Sequence, residues 1–198
     1  MIYIYGDSHS NFFTKTHPSR GGGACDIFRS QNMGAGTAHN FHTNHLPTLL
    51  ENVQPLPPKS PIVIVAGEID CRLHIPKLFL ERIGTLEALV EATVQHLTIC
   101  YTAIQKAGHT PIAWGPHPTR HLETLDYKTE WYCGTQNIRN TACMLFNDML
   151  SQQGFPFETL FYEVDDSRAV HDKYYLDPLH LNEILWPIAK SKLEKYNV

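Results

Sequence analysis

Ser8 lies in Gly6-Asp7-Ser8-His9, directly after the β-branched and aromatic run Ile2 to Tyr5. A serine at a strand-to-helix turn holds its hydroxyl above the sheet edge. Its N–H lies near a helix start, where an oxyanion can be stabilised. On its own, a serine in this place is more often an N-cap than a nucleophile. The tetrapeptide Asp177-Pro178-Leu179-His180 changes that balance. A nucleophilic serine needs a base, and the base needs an orienting partner. An aspartate three positions before a histidine falls on the same side of a helix-like turn. The carboxylate then accepts from one ring nitrogen while the other faces Ser8. The competing reading, a surface Asp-Pro turn beside an ordinary histidine, is preferred only if Ser8 is ignored.

The rest of the chain offers less. Glu68, Asp70 and Arg72 form a charged cluster after an apolar run. It reads equally well as a site feature and as an ion-pair network at a strand end. His39, His42 and His45 recur every third residue, so on a helix the first two are neighbours and the third is splayed away. A metal site needs three or four converging ligands, which this spacing does not supply, so no metal is expected. His74 and His117 follow strand ends and are candidates to line a cleft. Trp131 and Tyr132 are candidates for an aromatic wall, with core packing an equal alternative.

Composition narrows the partners. The formal net charge is −4, and no run of Lys or Arg occurs, which argues against nucleic acid and anionic membrane surfaces. A small neutral or lightly charged substrate fits better. The five cysteines are odd in number and scattered, and no CxxC occurs, which argues against a disulfide framework and a structural zinc site. Free thiols in a reducing cytoplasm are expected. The start MIYIYGDSHS has neither a basic region nor a long apolar stretch, so it reads as a strand rather than a signal peptide. No apolar run is long enough to span a bilayer. Length alone, 198 residues, suits one domain over the whole chain.

The elements that must position Ser8 and His180 alternate in type. Strands are expected at Ile2 to Tyr5, Cys25 to Ser30, Ile62 to Ala66, Thr110 to Trp114 and Thr159 to Val164. The run from Ile62 is apolar throughout, as in strands covered on both faces. Helices are expected at Thr37 to Leu50, with Thr37 as N-cap, and from Ile83 through Ile104, stopping at Gly108. Two more are expected, from Ile138 through Met149 and within Leu185 to Tyr196, the last beginning near Trp186 because Pro187 suits a first helical turn. Residues 115–134 lack periodicity and read as a lid or binding loop. This order predicts an α/β fold, a parallel sheet of about five strands with helices on both faces. Ligands then sit beyond the carboxyl ends of the strands, just after Gly6, Gly34, Gly67 and Gly115.

With Gly6-Asp7-Ser8-His9 at one end and Asp177-Pro178-Leu179-His180 at the other, the chain resembles the SGNH/GDSL hydrolase family. The resemblance implies a flavodoxin-like three-layer α/β/α sandwich and hydrolysis of esters without a cofactor. It implies Ser8 as nucleophile, His180 as base and Asp177 as its partner. It also implies an oxyanion hole made by the Ser8 N–H and a glycine N–H after the second strand, for which Gly34 is the best match. The third block of that family usually reads Gly-x-Asn-Asp, its asparagine donating to the oxyanion. Here the corresponding segment is Gly67-Glu68-Ile69-Asp70, and Ile69 cannot donate. Arg72, always a donor, is the candidate replacement, held by Glu68 or Asp70. Asp7, His9, Glu68, Asp70, His117 and Trp131 complete the expected substrate-binding set.

Three functions follow from this reading. The leading one is a serine esterase acting on a small ester, such as an O-acetyl group on a carbohydrate. The second is an acyltransferase to a sugar hydroxyl using the same triad. The third, motivated by the missing asparagine, is an inactive ligand-binding member.

Overall fold

The computed structural model describes residues 1–13, 27–34, 36–119, 131–164, 172–176 and 179–197. Five parallel strands form one sheet: β1 (Ile2–Gly6), β2 (Phe28–Asn32), β3 (Pro61–Val65), β4 (Thr110–Gly115) and β5 (Phe157–Thr159), in the order β2-β1-β3-β4-β5. The helices are α1 (Ala38–Asn44), α2 (Leu46–Val53), α3 (Ile75–Leu80), α4 (Leu86–Lys106), α5 (Gln136–Ser151), α6 (Phe161–Val164) and α7 (Trp186–Glu194).

Side chains on a strand alternate between faces, and this sheet buries both sets. Tyr5, Ile62, Ile64 and Ala113 pack with Phe41, Leu97, Tyr101 and Phe146 from α1, α4 and α5 on one face. Ile2, Ile4, Val63, Val65, Ile112 and Trp114 pack with Phe12, Phe13 and the α7 residues Ala189 and Leu193 on the other. The result is a three-layer α/β/α sandwich.

Three expectations need correction. The helix expected from Thr37 to Leu50 is two helices broken at His45. Thr37 does cap α1, accepting from the Asn40 N–H at 3.2 Å, but Pro47 stands in the first turn of α2, where it has no N–H to continue α1. The stretch Thr159 to Val164 is not a strand. β5 ends at Thr159, whose Oγ1 accepts the Phe161 N–H at 3.0 Å and turns the chain into α6. The second strand lies later than expected, at Phe28–Asn32, and Cys25 is outside the described residues. Residues 70–80, to which periodicity assigned nothing, form a π-helical turn (Asp70–His74) leading into α3. Such single turns recur at functional sites.

Gly6 has no room for a side chain. A Cβ there would lie 2.2 Å from the Val65 carbonyl oxygen. That close approach of β1 to β3 is needed where the chain leaves the sheet into Ser8.

Candidate active site

Ser8 opens a 3-10 helix, Ser8–Phe13, at the carboxyl end of β1. The turn is pinned from both sides. The Asp7 N–H donates to the Val65 carbonyl at 3.3 Å, and the Met33 N–H donates to the Gly6 carbonyl at 2.7 Å. Asp7 is buried, and its Oδ1 accepts the His9 N–H at 2.8 Å. Asp7 therefore shapes the serine turn rather than meeting solvent, and burial raises its pKa.

His180 arrives from the far end of the chain on a small antiparallel element. Tyr175 bridges Leu181, the Leu176 N–H donates to the His180 carbonyl at 2.8 Å, and the Asn182 N–H donates to the Tyr174 carbonyl at 2.7 Å. Leu179 and Leu181 on either side of His180 are buried, which anchors this short segment. His180 Nε2 then lies 3.0 Å from Ser8 Oγ, within hydrogen-bond reach. Asp177 and Pro178 lie outside the described residues.

A buried polar chain runs beside this pair. The Arg72 Nε–H donates to Glu68 Oε1 at 2.8 Å. Glu68 Oε2 is 2.8 Å from His9 Nε2. His9 Nδ1 is 3.4 Å from His117 Nε2, and His117 Nδ1 is 3.0 Å from the Pro118 carbonyl. The carbonyl only accepts, so His117 Nδ1 carries the proton and its Nε2 accepts from His9 Nδ1–H. His9 Nε2 pairs with the Glu68 carboxylate at 2.8 Å, an ion-pair distance that favours the doubly protonated, cationic ring.

The electrostatics agree. Burial pushes the His9 pKa down, but Glu68 and Asp7 more than offset this and it is raised. Burial and the His9 cation lower His117 to about 4, keeping it neutral. Burial would raise Glu68, but His9 and Arg72 hold it well below the ordinary carboxylate range.

His117 gives a pH prediction. Its folded pKa is below the unfolded value of 6.5, so between these values the unfolded chain binds more protons. Stability is therefore lost as pH falls from 6.5 towards 4, by at most roughly 3 kcal/mol from this group. Thermal unfolding of His117→Gln across this range should show a shallower fall in Tm than the wild type. Parallel curves would show that His117 titrates normally.

Two expected residues serve elsewhere. Asp70 Oδ2 accepts the Ala38 N–H at 2.6 Å and Oδ1 accepts the His39 N–H at 3.4 Å, so Asp70 holds the start of α1. Burial raises its pKa to about 7. Trp131 is 46% exposed and does not border the cavity beside His180. Of the two ways to hold Arg72, the structure shows Glu68. Arg72 is buried, and its Nη1 has no partner among the described residues. Gly34, at φ +93°, is exposed, and its N–H donates to Asn32 Oδ1 at 2.8 Å.

Among solved structures, the chain is similar to a GDSL-like lipase from Bacteroides thetaiotaomicron VPI-5482, with a TM-score of 0.66 and 13% identity over 99% of this chain and 86% of that one. It is similar to a putative acylhydrolase from Bacteroides fragilis NCTC 9343, with a TM-score of 0.60 and 15% identity over 99% and 85%. An acetyl xylan esterase matches at a TM-score of 0.59 and 11% identity over the full length of both chains. This is the SGNH/GDSL hydrolase fold. No family model and no curated protein sequence matches the chain.

On the SGNH/GDSL fold, the ends of β1, β3 and β4 deliver Ser8, Glu68 and His117 to one place, as the strand-end rule predicts. His9, Glu68 and His117 were each expected near substrate. What the sequence reading missed is that they touch one another. Their positions one to three residues beyond Gly6, Gly67 and Gly115 were the available signal. His96 was missed as well. Its ring lies 4.4 Å from that of His39 and 4.6 Å from that of His42, while His45 packs on Phe41. Among the described residues, no group of three or more His, Cys, Asp or Glu is arranged to hold a metal ion. No described helix is long and apolar enough to cross a membrane.

Proposed function

We propose that this protein is a serine esterase acting on small esters. The observation that carries the reading is the 3.0 Å approach of His180 Nε2 to Ser8 Oγ, from residues 172 apart in sequence, at the carboxyl ends of a parallel sheet. His180 takes the Ser8 hydroxyl proton as Oγ bonds to the substrate carbonyl carbon. The tetrahedral intermediate collapses, the carbon–oxygen bond to the alcohol breaks, and His180 returns the proton to that alcohol. Water, deprotonated by His180, then attacks the acyl-Ser8 ester, and the acid leaves. Asp177, three positions before His180, is assigned to orient the imidazole.

The developing oxyanion needs donors. The Ser8 N–H stands at the start of its helix. The Gly34 N–H joins it when Asn32 Oδ1 turns aside. Arg72, whose buried Nη1 has no hydrogen-bond partner among the described residues, supplies the charge that Ile69 cannot. One neighbour in the fold is an acetyl xylan esterase, and that analogy extends the reading to an O-acetyl group on a carbohydrate.

The test is covalent. A fluorophosphonate probe should label one residue, identified as Ser8 by mass mapping, and labelling should be slowed while excess p-nitrophenyl acetate is present. A folded protein that takes no label overturns the esterase reading and leaves a binding role on a hydrolase fold.

A further inference from the structure

His180 rides on a short antiparallel pair of segments, and such a pair is marginal by itself. Tyr175 and Leu181 stand directly opposite one another in it. The Leu176 N–H donates to the His180 carbonyl and the Asn182 N–H to the Tyr174 carbonyl. That pattern makes Tyr175 and Leu181 a non-hydrogen-bonded pair, the kind whose side chains lie closest. Both are buried in the core on the α7 face of the sheet. The Tyr175 hydroxyl donates to the Pro118 carbonyl, just beyond β4. That carbonyl has a second donor, His117 Nδ1–H at 3.0 Å, and its two lone pairs can receive both. The Tyr175 and His117 rings meet edge-on, with centroids 5.8 Å apart. One backbone oxygen therefore joins the segment bearing His180 to the end of β4 and to the buried chain of His117, His9 and Glu68.

We propose that Tyr175 is a positioning residue for His180: its hydroxyl, hung from the Pro118 carbonyl, holds the imidazole at its reach from Ser8. The inference rests on the reading of Ser8 as nucleophile and His180 as base. Leu181, the partner of Tyr175, is the residue next to His180, so a shift of Tyr175 passes to the His180 backbone. A general base needs geometry first. His180 Nε2 lies 3.0 Å from Ser8 Oγ, inside the usable range of about 2.6–3.2 Å. A displacement of about 1 Å removes it from that range, and a misplacement of this size costs roughly 100-fold. Phenylalanine at position 175 keeps the ring and its packing and deletes the hydroxyl alone. The Pro118 carbonyl still accepts from His117, so the change strands no buried acceptor.

The experiment compares wild type, Tyr175→Phe, His180→Ala and the double variant with p-nitrophenyl acetate, with Tm to establish folding. Tyr175→Phe should lower kcat by about 10–100-fold and leave KM within about twofold, because it moves the base and not the ester. In the His180→Ala background the same change should have no further effect, since Tyr175 acts through His180. A loss that adds to that of His180→Ala overturns the proposal, as does unchanged kcat in folded Tyr175→Phe. If Tyr175→Phe fails to fold, Leu181→Val decides. It thins the side chain paired with Tyr175 and should lower kcat at constant KM; unchanged kcat overturns the proposal. A wild type without Ser8-dependent turnover overturns the esterase reading, and NMR then decides the positioning. The His180 ring signals, identified by their loss in His180→Gln, should move in Tyr175→Phe. Unmoved signals overturn the role of Tyr175.

Discussion

Replacing Ser8 with alanine is expected to lower kcat for p-nitrophenyl acetate by about 10⁴–10⁶-fold while leaving Tm within a few degrees of wild type. Ser8 Oγ lies 3.0 Å from His180 Nε2, and alanine deletes it without disturbing the turn. That turn is held by the Asp7 carboxylate, the Gly6 carbonyl and the Val65 carbonyl. His180→Ala should cost a similar factor, because an unassisted hydroxyl is a weak nucleophile. The two losses should not add. Residues that act as one unit are removed together by the first substitution, so the double variant should match the single ones. Independent, additive losses would show that Ser8 and His180 serve different steps. Equal turnover by wild type and Ser8→Ala would remove Ser8 from the reaction. The assay is steady-state kinetics at saturating ester, with circular dichroism to establish folding.

The second large effect concerns Glu68. It is 3% exposed and joins two cations, Arg72 and His9. Removing one partner of a buried ion pair leaves uncompensated charge and costs about 3–5 kcal/mol. Glu68→Gln should therefore lower Tm by roughly 10 °C, at 2–4 °C per kcal/mol for a chain of this size. Its pH dependence carries the signature of the network. The folded Glu68 pKa is depressed, so its contribution is present above the unfolded value of 4.5 and lost as pH falls below that towards the folded value. The folded His9 pKa is raised, so its contribution is present below 6.5 and lost as pH rises through the folded value. Both act together between about 4.5 and 6.5, and the difference between wild type and Glu68→Gln should be largest there. Adding Arg72→Met should recover part of the loss, since it removes the charge that Glu68→Gln strands. A double variant less stable than Glu68→Gln alone would show that Arg72 contributes chiefly through other contacts. Activity should fall too. His9 packs against His180 with ring centroids 4.8 Å apart, so a displaced His9 loosens the His180 ring.

Much of this was legible in the residues themselves. Ile62 to Val65 had to be a covered strand because every side chain is apolar, and it buries both faces. Thr37 had to cap a helix because its hydroxyl can satisfy a free N–H, and it does. Gly6-Asp7-Ser8-His9 and Asp177-Pro178-Leu179-His180 suggested a nucleophile and its base because each residue type is fit for one role. Local chemistry of this kind is set by neighbours in sequence. Where a non-local partner decides, the reading went astray. Thr159 to Val164 has strand composition, but β5 has only Ala113 to Gly115 of β4 to pair with, and the Thr159 hydroxyl turns the chain first. The charged cluster after β3 divided in a way no spacing reveals. Asp70 turned to the N–H groups of α1, while Glu68 and Arg72 turned inward to His9.

The sequence by itself determined most strand and helix types, the parallel α/β order and which side chains are proposed to react, because propensity, burial pattern and acid–base chemistry belong to residues and their near neighbours. Only the tertiary structure decided that Ser8 meets His180 across the length of the chain, and that His9 lies between the Glu68 carboxylate and His117. Those properties arise from distances between elements remote in sequence, where burial strengthens charge interactions and packing fixes position.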